Sequence, residues 1–143
     1  MKRLFAFLCA GGMMMAAAFT SGCKKYEEGP LISLRPKKER VSNTWKIEKA
    51  FDNGKDVTSE YDEYDLYLAE SGYAKLTATY DYGIFTFSGS TEGTWKFESN
   101  EENLRLDFEN NDADAVYRIL RLKEKELWLE EAGNGRTLHL QPK

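Results

Sequence analysis

Gly93-Thr94-Trp95-Lys96-Phe97-Glu98 and, after a short polar gap, Asn103-Leu104-Arg105-Leu106-Asp107-Phe108-Glu109 decide the reading of the fold. In both stretches apolar and polar residues alternate. Trp95, Phe97, Leu104, Leu106 and Phe108 share one parity, and Lys96, Glu98, Arg105, Asp107 and Glu109 take the other. Successive side chains of a β-strand point to opposite faces, so a period of two buries one set and solvates the other. A helical period would scatter both sets around an axis.

Working outward, the same rhythm continues in both directions. Residues 44–51 predict a strand with Trp45, Ile47 and Phe51 on one parity, interrupted by Lys49. Residues 64–68 place Tyr64, Leu66 and Leu68 on one face; 73–80 is a β-rich run; 84–88 aligns Phe85 with Phe87. Beyond the deciding pair, 115–122 predicts a strand whose adjacent Ile119 and Leu120 suggest a bulge or burial on both sides. Strands at 126–130 and 136–140 close the pattern, the last with Leu138 and Leu140 inward. Asp52-Asn53-Gly54, Glu70-Ser71-Gly72, Asp81-Tyr82-Gly83, Asn110-Asn111-Asp112, Lys123-Glu124-Lys125 and Gly133-Asn134-Gly135 supply the turns. About eight or nine strands at roughly 8–12-residue spacing imply an all-β antiparallel barrel or sandwich. Short sequential hairpins favour the up-and-down barrel, which leaves no exposed sheet edge. A single short helical stretch is expected at 35–43, with Pro36 suited to its first turn.

The N-terminal end has a different character. Lys2 and Arg3 precede an uncharged apolar run from Leu4 to Thr20, the layout of a secretory signal peptide. Thr20-Ser21-Gly22-Cys23 then places small residues directly before a cysteine whose thiol can be alkylated with diacylglycerol. This junction resembles the lipobox of bacterial lipoproteins, with Thr20 where an aliphatic residue is usual. A plain secretion signal and a retained anchor are the other readings of the run. Gly11, Gly12, Ser21 and Gly22 weaken the anchor. The expected organisation is a signal peptide at 1–22, a polar tether at 23–34 and one domain at 35–143. Lys24 followed by Glu27 and Glu28 is also similar to the surface-export signal of Bacteroidetes lipoproteins, or is an ordinary charged linker. The expected location is therefore the cell envelope, most readily the outer membrane, with its face undecided.

Cysteine usage follows from the cut. The chain has Cys9 and Cys23; the first leaves with the signal and the second carries lipid, so the domain has neither a disulfide nor a thiolate metal site. The formal charge of −4 becomes more negative once Lys2 and Arg3 are lost. That balance argues against nucleic acid, which needs a basic footprint.

Asn43-Thr44-Trp45 after a short helical turn, Gly93-Thr94-Trp95 at mid-chain and the closing Leu138–Leu140 strand together resemble the lipocalin-like domains of Bacteroidetes lipoproteins, over about residues 38–141. The resemblance implies that Trp45 packs across the closed end of a barrel, with Asn43 where lipocalins carry the glycine of their Gly-x-Trp motif. The family's Thr-Asp-Tyr turn is not recognisable here.

An eight-stranded barrel is either filled by its side chains or just wide enough for one small ligand. The residues expected to line such a site are Tyr64, Leu66, Phe85, Phe87, Trp95 and Phe97. Simple core filling is the competing reading for each of them. Six of the eight tyrosines fall between 61 and 82, a composition suited to binding surfaces and equally to β-hairpins. Catalytic groups are scarce: His139 lies alone on the polar parity of its strand, and no serine sits in a nucleophile-elbow context. Asp56, Glu60, Asp62, Glu63 and Asp65 do not take the spacing of a calcium loop. No enzyme activity, cofactor or metal is expected. Two functions remain open: a membrane-anchored binding module for a small apolar ligand, and an interaction lipoprotein with a filled core that meets another envelope protein.

Overall fold

The period-two pattern becomes a single antiparallel sheet that closes on itself. The computed structural model describes residues 35–82 and 84–143; the signal segment, Cys23 and the tether lie outside them. A short helix α1 (Lys37–Val41) leads into β1 (Thr44–Asp52), β2 (Lys55–Asp56), β3 (Tyr61–Leu68), β4 (Tyr73–Tyr82) and β5 (Phe85–Glu98). Then follow β6 (Asn103–Phe108), β7 (Ala115–Leu122), β8 (Leu127–Glu131) and β9 (Arg136–Pro142). From β3 each strand pairs with the next, and β1 pairs with both β3 and β9, so eight strands form a closed barrel. β2 pairs only with the far end of β1. The up-and-down barrel is the architecture that short hairpins favoured, and closure removes the free edges a sandwich would leave.

One end of the barrel is sealed. Trp45 is fully buried where β1 pairs with Leu66 of β3 and Pro142 of β9. Its Nε1–H donates to the Val41 carbonyl at 2.8 Å, and Val41 itself is fully buried. The Arg40 guanidinium donates to the Leu122 carbonyl at 2.6 Å, tying α1 to the end of β7. α1 therefore lies across this end, and Trp45 takes the place the family resemblance assigned to it. Pro36 sits at the N-cap, just before the helix rather than inside its first turn.

Above that plug the inward parities interlock. Leu66, Leu68, Leu104, Leu106, Leu127, Leu129, Leu138 and Leu140 are all essentially inaccessible. Gly93 has a specific role here. It pairs with Phe108, and a Cβ on it would overlap the Asp107 carbonyl oxygen and the Phe108 Cα. Two strand backbones approach at that point more closely than any side chain permits.

Two details differ from the sequence reading. The register of β1 against β9 shifts between Ile47 and Lys49, a bulge that reverses the parity beyond it. Ala50 thus points inward and Phe51 faces out, against the expectation for Phe51. The bulge also keeps Lys49 in solvent. Residues 85–88 and 93–98 belong to one long strand, β5, because Gly89 and Ser90 continue to pair with Ala78 and Thr77 of β4. Gly89 has φ of 143°, so it bends the strand without ending it. The second bulge falls where Ile119 and Leu120 suggested it, between Ile119 and Arg121, and lets Ile119 and Leu122 both point inward.

Candidate functional site

The end opposite α1 is hollow. A cavity of about 370 Å³ opens there, at the small end of the range for ligand pockets. Its aromatic wall is built by β3, β4 and β5: Tyr61, Tyr64, Tyr80, Phe85 and Phe87. Register explains the grouping. Tyr61 pairs with Tyr80 and Tyr80 with Phe87, so adjacent strands stack rings side by side. The Tyr61 and Tyr80 rings stack at 5.3 Å and those of Tyr80 and Phe87 at 5.4 Å, while Tyr64 meets Tyr61 edge-on at 5.8 Å.

The opposite wall is more polar. Tyr117 of β7 and Glu131 of β8 face the cavity from paired positions. Glu131 continues the inward parity of Leu127 and Leu129, so a carboxylate occupies an inward position at the barrel rim. Asp112, Asp114 and Asn110 contribute from the connection between β6 and β7. That connection is held in shape: Asn110 Oδ1 accepts from the Asp112 amide, and Asp114 Oδ1 accepts from the Phe108 amide at 2.6 Å.

Electrostatics set these groups apart. Burial pushes the Tyr64 hydroxyl well above the usual 10.0, and the neighbouring Tyr80, Tyr61 and Glu131 push it further in the same direction; a hydrogen bond with Tyr117 partly opposes them. Tyr117 is raised well above the same value, first by burial and then by Tyr64 and Glu131. Both phenols are therefore protonated at neutral pH and serve as hydrogen-bond groups rather than charges. Arg136 lies on the inward parity of β9 at the same end and is buried. Its guanidinium donates to Glu60 Oε2 at 3.1 Å, Asp52 Oδ2 at 3.4 Å and the Tyr61 hydroxyl at 3.1 Å. It cross-links the ends of β1, β3 and β9 at the mouth of the barrel and is not among the described residues that line the cavity.

Of the residues the sequence selected, Tyr64, Phe85 and Phe87 meet at the cavity. Leu66, Trp95 and Phe97 do not line it. Leu66 pairs with Trp45 at the sealed end. Trp95 donates from Nε1 to the Ala69 carbonyl in the β3–β4 turn at 2.7 Å, and Phe97 packs edge-on against it at 5.4 Å. Parity was right for all three, but parity does not tell how far along the barrel axis a residue lies. The tyrosine-rich stretch was the better guide: Tyr61, Tyr64 and Tyr80 reach the cavity, whereas Tyr67 and Tyr73 pair on the outer wall at 6.1 Å. Tyr117 and Glu131 were missed. The run Leu127, Leu129, Glu131 did contain the signal for Glu131, one residue past the expected end of its strand.

A strand barrel sealed by a short N-terminal helix and a tryptophan, with a hollow mouth, defines a lipocalin-like architecture. Residues 41–129 match the family model of the lipocalin-like domain, and the chain belongs to that family. No curated protein matches it. Among solved structures it is similar to a lipocalin-like protein from Bacteroides uniformis, with 11% identity and a TM-score of 0.55, covering 73% of this chain and 99% of that one. An uncharacterized protein from Bacteroides eggerthii matches with 10% identity and a TM-score of 0.49, over 71% of this chain and 98% of that one.

Proposed function

We propose that this protein is an envelope lipoprotein, anchored through lipid on Cys23, that acts by binding a small molecule with an apolar, aromatic-compatible body in the barrel mouth. The observation that carries the binding reading is the 370 Å³ hollow walled by stacked Tyr61, Tyr80 and Phe87. A core that served stability alone would be filled to organic-crystal density at both ends; here the sealed half is packed and the other half is open. Burying a ligand ring against such a wall removes apolar area from water without ordering new chain, because the rings already hold one another in place.

The anchoring reading rests on the uncharged run ending in Ser21-Gly22-Cys23. The tether would enter at α1, so lipid would sit on the sealed side and the mouth on the opposite end. That arrangement suits a ligand taken from the aqueous side of the membrane. Interaction with another envelope protein has one observation in its favour. At the β4–β5 hairpin beside the mouth, Ile84 is 94% and Phe85 65% exposed, and such a tip could serve as a contact for a protein delivering or receiving the ligand. The test is native mass spectrometry of the full chain purified from its own host. A retained small molecule, released on unfolding, is the expected result; the bare polypeptide mass at every activation energy would contradict the binding reading.

A further inference from the structure

Going round the barrel, the wall has one weak seam. β1 and β3 pair only at Thr44–Tyr67, Trp45–Leu66 and Lys46–Asp65, a shorter ladder than any other neighbours in the ring share. Farther along, β1 changes partner. Ala50 donates its N–H to Thr58 Oγ1 at 3.0 Å and accepts from the Val57 N–H at 2.8 Å, and Phe51 and Asp52 pair with β2. Between these zones, residues 47–49 of β1 and 61–64 of β3 flank a gap with no ladder pair across it. Each strand is bulged there, β1 between Ile47 and Lys49 and β3 between Tyr61 and Glu63, and bulges bend strands out of regular pairing.

The gap holds a second hollow, of about 320 Å³. Exposed Lys46, Asp62 and Glu63 mark its outer rim, and Ile47, Tyr61 and Tyr64 form its floor. Tyr61 and Tyr64 also line the mouth cavity, so their side chains stand between the outer hollow and the binding site. Tyr64 is buried, whereas Tyr61 is half-buried, and the Tyr61 hydroxyl accepts from Arg136 Nη1 at 3.1 Å. The same guanidinium holds Asp52 at the end of β1 and Glu60 just before β3, one on each side of the gap. Resting on the small-ligand reading above, we propose that the ligand enters and leaves the cavity sideways through the β1–β3 seam, with Tyr61 as the side chain that swings aside and Arg136 as its latch. Local opening falls where the fewest backbone hydrogen bonds must break, and this seam has the shortest ladder in the wall. The outer hollow gives the displaced phenol a place to go, so the packed leucines beneath need not move.

The test reads rates, with 2-naphthol as the probe. It would be titrated into the full chain held in phosphatidylcholine nanodiscs, with both rate constants taken from NMR line shapes of labelled Tyr80 and Tyr117 rings. Tyr61→Phe removes the hydroxyl that Arg136 holds and keeps the ring. Association should quicken by about tenfold, the scale of one hydrogen bond to a charged group. Loss of a binding contact alone would act on dissociation and leave association as it was. Ile47 is not among the described residues that line the mouth cavity, and Ile47→Trp would fill the outer hollow. That variant should slow association and dissociation together and leave affinity within about twofold. Phe85→Ala, at the mouth rim, should raise dissociation alone. Unchanged association in either folded seam variant, or association quickened by Phe85→Ala and not by Tyr61→Phe, would overturn the side entrance while leaving the small-ligand reading intact. Absence of probe binding to the folded wild type would overturn both.

Discussion

Trp45 and Val41 are joined by a 2.8 Å hydrogen bond from the indole Nε1–H to the backbone carbonyl, and both residues are completely buried. The bond fixes the short helix to the first strand. It also satisfies the indole N–H at the one place where the barrel would otherwise be open to water on that side. Five helical residues are too few to be stable alone, so α1 exists because this end of the barrel holds it.

Truncation of the tryptophans should therefore rank by position. Trp45→Ala and Trp95→Ala should each cost about 3–5 kcal/mol, the range for deleting a large buried aromatic. Trp128 lies outside the barrel between the Arg121 guanidinium at 3.9 Å and the His139 ring at 3.9 Å. Its loss forfeits stacking rather than core, about 1–2 kcal/mol. Denaturant unfolding of the three variants measures the order; Trp128→Ala as the most costly would contradict the assigned inward faces.

Gly93→Ala adds one carbon where β5 and β6 nearly touch. It should destabilise by about 2–3 kcal/mol or more, beyond ordinary overpacking, because backbone rather than a movable side chain must yield. Gly133→Ala, at a turn with φ of 91° and open space around it, should cost only about 1 kcal/mol. Equal midpoints for the two variants would show that the β5–β6 approach is not as close as described.

How much of this was legible beforehand depends on which physical signal was involved. Alternation over 93–98 and 103–109 gave the inward faces of β5 and β6 without error, because a half-buried strand writes its pleat directly into polarity. The Trp45 plug was visible through family resemblance. The direction of Phe51 was not, since a bulge is a backbone event; its only trace was Lys49 on an apolar parity. Residues 84–88 and 93–98 read as separate runs because alternation lapses between them, yet pairing of Gly89 and Ser90 with Ala78 and Thr77 carries one strand through. At the site, Tyr64, Phe85 and Phe87 were found by parity, while Tyr117 and Glu131 come from distant strands that only barrel closure brings near β3 and β4. Depth along the axis, which separates Trp95 from Phe87, is a property of the tertiary register and leaves no mark on a single strand.

Alkaline pH should weaken the fold through the mouth. Tyr64 and Tyr117 have hydroxyls held well above 10.0 by burial, so the folded state keeps their protons more tightly than the unfolded chain. Their contribution is fully present below pH about 10 and is lost as pH rises from there through the higher folded-state values. Unfolding midpoints followed from pH about 8 upward should fall above pH about 10, and less steeply in Tyr64→Phe, which removes one of the linked protons. Parallel curves for wild type and variant would refute the linkage.

Cys23→Ser should abolish lipid attachment and leave an unanchored or uncleaved chain. Host cells grown with radiolabelled palmitate should label the wild type and not the variant. Equal labelling of both would remove Cys23 as the anchor.

The central claim, that the hollow end is a binding site and the sealed end is not, is tested most directly by NMR of the full chain with labelled tyrosine rings, titrated with 2-naphthol as a neutral aromatic probe. Tyr61, Tyr64, Tyr80 and Tyr117 line the cavity, whereas Tyr67 and Tyr73 lie outside it. Ring-current shifts confined to the first four and saturating together are the result the account predicts. Shifts confined to Tyr67 and Tyr73, or none at any concentration the probe allows, would contradict it.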